Sequence, residues 1–170
     1  MDLTIKVIKN VLNDSIHRNI LSTVEAHEVS WHKSEVLRNS KDYQFSHTIY
    51  EDHNVTSNLF DVFKPLFTKL EIKLFHRVRL NCNIKKNDNR ILGGFHIDYG
   101  DINTLIPENL MIGIYYLNST NGKTLIKENG KIREIKCIAN SVVLFSGNLE
   151  HSGTTHTDKD FRYVLNLNYI

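Results

Sequence analysis

Two stretches, one in the middle of the chain and one at its C-terminal end, restrict the fold more than any other feature. In residues 76–84, Val78, Leu80, Cys82 and Ile84 alternate with Arg77, Arg79, Asn81 and Asn83. In residues 162–169, Tyr163, Leu165, Leu167 and Tyr169 alternate with Arg162, Val164, Asn166 and Asn168. Period-two alternation makes each stretch a strand with one apolar and one polar face. In an ordinary sandwich the polar face would meet water. Here it is rich in Arg and Asn, at positions that would share a side with the candidate metal ligands described below. A small barrel-like double sheet with a polar pocket inside and helices on its apolar outside accounts for both faces.

The remaining pattern fits that frame. A short strand is expected over residues 3–8, and Asn13 or Asp14 can cap a helix running to about Ala26, with Ile16, Ile20, Leu21 and Val24 on one face. Residues 43–50 read as a strand. Thr56 or Ser57 then precedes a helical stretch over 58–70 whose stripe is Leu59, Val62, Phe63, Leu66 and Phe67, interrupted by Pro65. From about residue 72 strands and tight turns take over. Asn121-Gly122 and Asn129-Gly130 are hairpin signals, because both central positions of a type I′ turn need positive φ. They divide 111–118, 123–127 and 131–137, and the apolar run 142–145 follows. Helices first and a meander afterwards predict an α+β chain with a double-stranded β-helix (jelly-roll) core and N-terminal helices on the outside. A length of 170 residues suits one domain, with 1–70 as helical and strand support and 71–170 as the core.

Composition mainly excludes. A net charge of +2, with no dense run of Lys and Arg beyond the Lys85-Lys86 pair, argues against nucleic acid as a partner. Cys82 and Cys137 lie in apolar runs outside any CxxC, so buried thiols are expected rather than a disulfide. The first residues lack the apolar core of a signal peptide, and no apolar run approaches a membrane span of about 20 residues. A reducing intracellular compartment is the expectation, which leaves the Asn54-Val-Thr and Asn118-Ser-Thr triplets uninformative.

The chemistry is concentrated in His96-x-Asp98, His151 and Arg162. A strand presents residues i and i+2 on one face, so His96 and Asp98 can reach one ion, and Gly93-Gly94 before them allows a sharp turn or a close approach. Two imidazoles and a carboxylate with open positions opposite suit non-haem Fe(II), with Mn, Co or Zn able to substitute. With nine histidines in the chain, HxD arises readily by chance, and His156 competes with His151 as third ligand from a more polar stretch. Arg162 starts the last strand on its polar face, where a guanidinium fork suits a dicarboxylate; a salt bridge to Asp158 or Asp160 is the bland alternative.

From Arg77 to Ile170 the chain resembles the Fe(II)/2-oxoglutarate-dependent dioxygenase superfamily, and within it the prolyl 4-hydroxylase-like branch. The resemblance rests on Phe-His96-Ile-Asp98, on residues 112–118 (Ile-Gly-Ile-Tyr-Tyr-Leu-Asn), on Val-Val-Leu-Phe leading to His151, and on the strand from Phe161 through Arg162. It implies Fe(II) on His96, Asp98 and His151, with 2-oxoglutarate and O2 as co-substrates and room for ascorbate as a reductant. It also implies that Arg162 and Tyr116 hold the distal carboxylate of 2-oxoglutarate, and that Asn81 contacts its metal-binding end. The chain departs from the pattern in having Asn81 and Asn83 where a tyrosine is usual, and Asn-Gly-Lys-Thr-Leu where Gly-Gly-Glu/Thr is usual. Its Asn- and Lys-rich composition is similar to that of oxygenases encoded by marine viruses.

The resemblance implies hydroxylation of a C–H bond, with a protein- or peptide-bound proline as the leading substrate. A nucleobase or small molecule, a metal-holding jelly roll without turnover, and a zinc hydrolase that leaves Arg162 unexplained stand behind it. The segments 85–90 and 99–108 flank the HxD and are expected at the mouth of the site. Neither membrane association nor a defined oligomeric state is implied.

Overall fold

The computed structural model describes residues 5–26, 29–37, 41–98 and 107–170. The chain runs through β1 (Lys6–Lys9), α1 (Asp14–Glu25), β2 (His32–Glu35), β3 (Tyr43–Glu51), β4 (Asn54–Val55) and α2 (Leu59–Lys69). It continues through β5 (Phe75–Ile84), β6 (Ile91–His96), β7 (Met111–Tyr116) and β8 (Lys123–Glu128), then β9 (Lys131–Lys136), β10 (Ser141–Ser146), β11 (His151–Thr154) and β12 (Phe161–Tyr169). Among the described residues, eight strands form one sheet in the order β1-β10-β7-β12-β5-β3-β2, with β4 on β3, and four form a second in the order β6-β11-β8-β9. Every pairing is antiparallel. From β5 onward the chain passes back and forth between the two sheets, apart from the β8–β9 hairpin within the smaller one, which is the jelly-roll path.

Alternation along the strands sorts side chains between two cores. Val78, Leu80 and Cys82 of β5, Tyr115 of β7, and Leu165 and Leu167 of β12 share one cluster with Ile20 and Val24 of α1 and Phe63, Leu66 and Phe67 of α2. The opposite faces of β7 and β10 supply Ile112, Ile114, Tyr116, Val143 and Phe145 to a second cluster with Ile126 of β8 and Ile135 of β9. That second cluster fills one end of the space between the sheets. The other end, walled by β5, β6, β11 and β12, carries the Arg and Asn side chains instead and holds a cavity.

Local chemistry accounts for the helix boundaries. The Asn13 side chain accepts the backbone N–H of Ser15 at 2.9 Å and caps α1. The buried face of α1 is His17, Ile20 and Val24, whereas Ile16 is 38% exposed. The expected stripe is thus turned by one residue, because His17 Nδ1 meets the Tyr115 hydroxyl at 2.6 Å and takes the inward position. In α2, Pro65 removes one backbone donor, but it lies on the exposed face, where the freed carbonyl can bond to water.

The two Asn-Gly pairs behave differently. Asn129 (φ 50) and Gly130 (φ 73) link β8 to β9 with Glu128 opposite Lys131, a two-residue hairpin. Asn121-Gly122 is no such turn: neither residue has positive φ, and β7 and β8 belong to different sheets. Its chain crosses between sheets instead. The Asn121 amide N–H donates to the Asp158 carboxylate at 3.0 Å, and its side chain bonds Thr157. Ile84, expected on the apolar face, is 36% exposed at the end of β5. Of the strand expected at 3–8, residues 3 and 4 lie outside the described residues, as do 99–106 of the segment expected at the mouth.

Two substitutions probe this framework. Phe63 is fully buried between α2 and the sheet, so Phe63→Ala should cost about 3–5 kcal/mol in urea unfolding. Gly93 has φ +76, and a Cβ there would lie 2.8 Å from Val36 Cγ1. Gly93→Ala should lose about 1–2 kcal/mol from backbone strain alone, with a further loss from the clash. Val36→Ala in the same chain should recover only the clash component.

Candidate metal centre

His96 and His151 are direct cross-strand partners in the smaller sheet, the last residue of β6 opposite the first of β11. Their ring centroids are 4.7 Å apart. β6 advances four positions, from Leu92 to His96, against two in β11, between Gly153 and His151, and the excess is absorbed by Gly93 and Gly94 at φ +76 and +112. Glycine tolerates those angles, and the resulting bulge aims His96 into the space between the sheets. Asp98 lies two residues past the end of β6, with Oδ1 at 3.5 Å from His96 Nε2 and 3.7 Å from His151 Nε2. One ligand atom from each of the three residues falls within 4.8 Å of the other two.

The surroundings orient all three donors toward one point. His96 Nδ1 meets the Gly94 carbonyl at 3.2 Å and His151 Nδ1 the Leu149 carbonyl at 3.3 Å. Held through Nδ1, each ring turns its Nε2 toward Asp98, where it donates to the carboxylate when protonated and can ligate an ion when not. Asp98 Oδ2 accepts from Asn166 Nδ2 at 2.9 Å and Asn168 Nδ2 at 3.3 Å, and Arg77 stands 3.4 Å away. Oδ1 is thereby left for an ion. Burial opposes the charge on Asp98, but the hydrogen bond from His96 and the charges of His151 and Arg77 outweigh it and hold the carboxyl well below the usual range. Burial pulls His151 below its ordinary value. For His96 burial acts the same way, but the bond to Asp98 overcomes it and raises the imidazole. A divalent transition metal fits this donor set, with nitrogen and oxygen ligands on one side and open cavity on the other.

The cavity beside this face measures about 270 Å³. Arg162 stands on its wall and is 3% exposed. Its Nη1 donates to the Thr154 carbonyl at 3.1 Å, its Nε is buried without a hydrogen-bond partner, and among the described residues no carboxylate pairs with it. The alternative pairing with Asp158 or Asp160 is therefore not formed. Along β12, Arg162 is four residues, roughly 13 Å of strand, from Asn166 at the Asp98 end. Asn81 is on the same wall with Oδ1 buried and unbonded, and its neighbour Asn83 donates to Gln44. The Tyr116 hydroxyl donates to Thr124 Oγ1 at 2.8 Å, and Thr124 is the one of the two that lines the cavity. The Tyr116 ring lies 6.0 Å from the Arg162 guanidinium carbon.

His156 is fully buried and takes no part in the triad; it packs against Gly122 and feels the charge of Arg162. The residues that sequence reasoning left without a role are Asn166, Asn168 and Arg77. Their polar-face positions on β12 and β5 were legible, but their convergence on Asp98 was not. Both thiols are free and buried, as expected from their apolar surroundings.

No family model matches the chain, and no curated protein matches it. Solved structures do. A prolyl hydroxylase from Trichoplax adhaerens, in complex with a hypoxia-inducible-factor oxygen degradation domain peptide, is 15% identical over 99% of this chain and 84% of its own, with a TM-score of 0.71. A Pseudomonas putida prolyl-4-hydroxylase is 12% identical over 99% of this chain and 92% of its own, at 0.68. HygX from Streptomyces hygroscopicus, solved with nickel and 2-oxoglutarate bound, is 12% identical over 98% of this chain and 82% of its own, at 0.62. At these identities the likeness establishes the fold: this chain has the jelly roll of the 2-oxoglutarate/Fe(II) oxygenases and prolyl hydroxylases.

Replacing Asp98 removes the only carboxylate of the triad. Asp98→Ala should abolish tight Fe(II) or Mn(II) binding in calorimetry while the fold persists; metal affinity equal to that of the parent would remove the triad as a metal site.

Proposed function

We propose that this chain is an Fe(II)- and 2-oxoglutarate-dependent dioxygenase that hydroxylates a C–H bond. The observation that carries the reading is Arg162, a buried cation without an acid partner among the described residues, at the far end of the cavity whose near end is His96, Asp98 and His151. A guanidinium so placed is costly unless an anion meets it, and a dicarboxylate reaching from a metal to Arg162 would supply that anion. Iron(II) with 2-oxoglutarate supplies the chemistry, activation of O2 for attack on a C–H bond. Substrate R–H, 2-oxoglutarate and O2 then become R–OH, succinate and CO2, with ascorbate as an auxiliary reductant.

The chain's own residues position and shield. His96, Asp98 and His151 hold the metal on one side only; Asn166 and Asn168 keep the Asp98 carboxylate turned toward it. Arg162, with Tyr116 and Thr124 beside it, receives the distal carboxylate, and Asn81 offers its unspent amide to the metal-binding end. We read residues 1–170 as one oxygenase domain, with α1 and α2 buttressing the outer face of the larger sheet. Prolyl hydroxylation of a protein or peptide is the leading substrate reading, supported by the likeness to the T. adhaerens and P. putida enzymes. No helix among the described residues is long and apolar enough to cross a membrane.

Iron-loaded protein should form succinate from 2-oxoglutarate, faster with a proline-containing peptide present, and mass spectrometry should show one added oxygen on that peptide. Binding of 2-oxoglutarate without any succinate would instead mark a binding module. Arg162→Ala should weaken 2-oxoglutarate by about 2–5 kcal/mol in anaerobic titration, the usual loss when one side of a buried charge pair goes. Arg162→Lys should restore part of that affinity, because it keeps the charge and loses the fork.

A further inference from the structure

Arg162 is not the only arginine on the cavity wall. Arg77 and Arg79 of β5 stand there too, on the polar face that alternation turns inward. Arg77 is engaged by Asp98 at 3.4 Å. Arg79 is not so engaged. Among the described residues its one ion pair is Nη2 to Glu51 Oε1 at 3.5 Å, and the Glu51 side chain is 42% exposed, so water competes for it. The Arg79 side chain is itself only 29% exposed, and its Nε is buried without a hydrogen-bond partner. In register Arg79 faces Asn166, the residue that holds Asp98, whereas Arg162 faces Asn83. Arg79 therefore stands at the metal end of the cavity, several residues of strand away from the arginine assigned to the co-substrate.

Charge counting points the same way. Among the described residues, the formally charged side chains of the lining are Arg77, Arg79 and Arg162 against Glu35 and Asp98, a surplus of one positive charge with the imidazoles neutral; the exposed Glu51 that meets Arg79 lies outside the lining. A divalent metal and the dianion of 2-oxoglutarate cancel each other and leave that surplus in place. We propose that Arg79 is a specificity residue that anchors a carboxylate of the primary substrate beside the metal, so that the oxidised molecule carries an acidic group close to the reacting carbon. This rests on the oxygenase reading of the same cavity. Burial and the neighbouring charge of Arg77 both work against the Arg79 cation, and a bound carboxylate relieves both.

The test uses the full chain with Mn(II) in place of iron and 2-oxoglutarate already bound, probed with carboxyl-labelled acetate. Bound Mn(II) should broaden the acetate carbon resonance saturably, because the carboxylate sits next to the metal. Arg79→Gln should weaken that binding about tenfold or more, a loss typical of one charge-assisted contact, while 2-oxoglutarate affinity stays at the parent value. Glu51→Gln, which removes the competing acid, should tighten acetate about twofold to threefold. A purely structural role for Arg79 would not produce that gain, and it can be read even if the Arg79 variant folds poorly. Equal broadening in the parent and Arg79→Gln overturns the proposal. So does a fall in 2-oxoglutarate affinity matching that of Arg162→Ala, which would make Arg79 a co-substrate ligand. Failure of Mn(II) or 2-oxoglutarate to bind is seen before acetate is added and counts against the oxygenase reading instead. Turnover of an Asp-Pro peptide over its Asn-Pro counterpart would place the carboxylate on a peptide; turnover of free L-proline would place it on a small acid.

Discussion

The pairing of β6 with β11 is the contact on which the candidate site depends. It sets His151 directly opposite His96, and the glycine bulge in β6 re-aims the strand so that Asp98 closes the triangle from just beyond its end. The larger sheet completes the arrangement from the opposite side, where Asn166, Asn168 and Arg77 hold the second oxygen of Asp98. The candidate metal face is thus assembled by both sheets. Any change in their separation would be felt first at Asp98, whose carboxylate is the bridge between them.

The interior is divided by chemistry along the same strands. At one end Ile112, Ile114, Tyr116, Val143 and Phe145 pack as an ordinary core; at the other, Arg and Asn line a cavity. Burying polar groups costs stability unless each finds a partner. Here Arg162 Nε, Arg79 Nε and Asn81 Oδ1 have none among the described residues. The apolar clusters, with fully buried Phe63, Leu66, Ile112 and Phe145, offset that cost. Of these, the two guanidinium N–H groups suit an anionic guest, whereas the Asn81 oxygen calls for a donor.

Much of this was legible in the chain. Alternation in residues 76–84 and 162–169 predicted two strands with a polar inner face, and the structure has both. Asn129-Gly130 forms the expected hairpin because its two residues must adopt positive φ whatever surrounds them. Asn121-Gly122 carries the same local signal and does something else, since its strands go to different sheets and Thr157 and Asp158 take up its hydrogen bonds. The face of α1 was misjudged by one residue for a similar reason: His17 looks polar in the sequence, and only Tyr115 opposite it makes burial favourable.

The sequence by itself determined the short-range features: which residues form strands, which face of each is polar, where the helices begin, and which residue types could bind a metal or a carboxylate. These follow from steric and hydrogen-bonding rules acting over a few residues. Only the tertiary structure decided which of those residues meet. His96 and His151 are 55 positions apart, and Asn166 and Asn168 lie farther still from Asp98. Their meeting depends on sheet order and register, which arise from the packing of the whole jelly roll and leave no mark at any one of those positions.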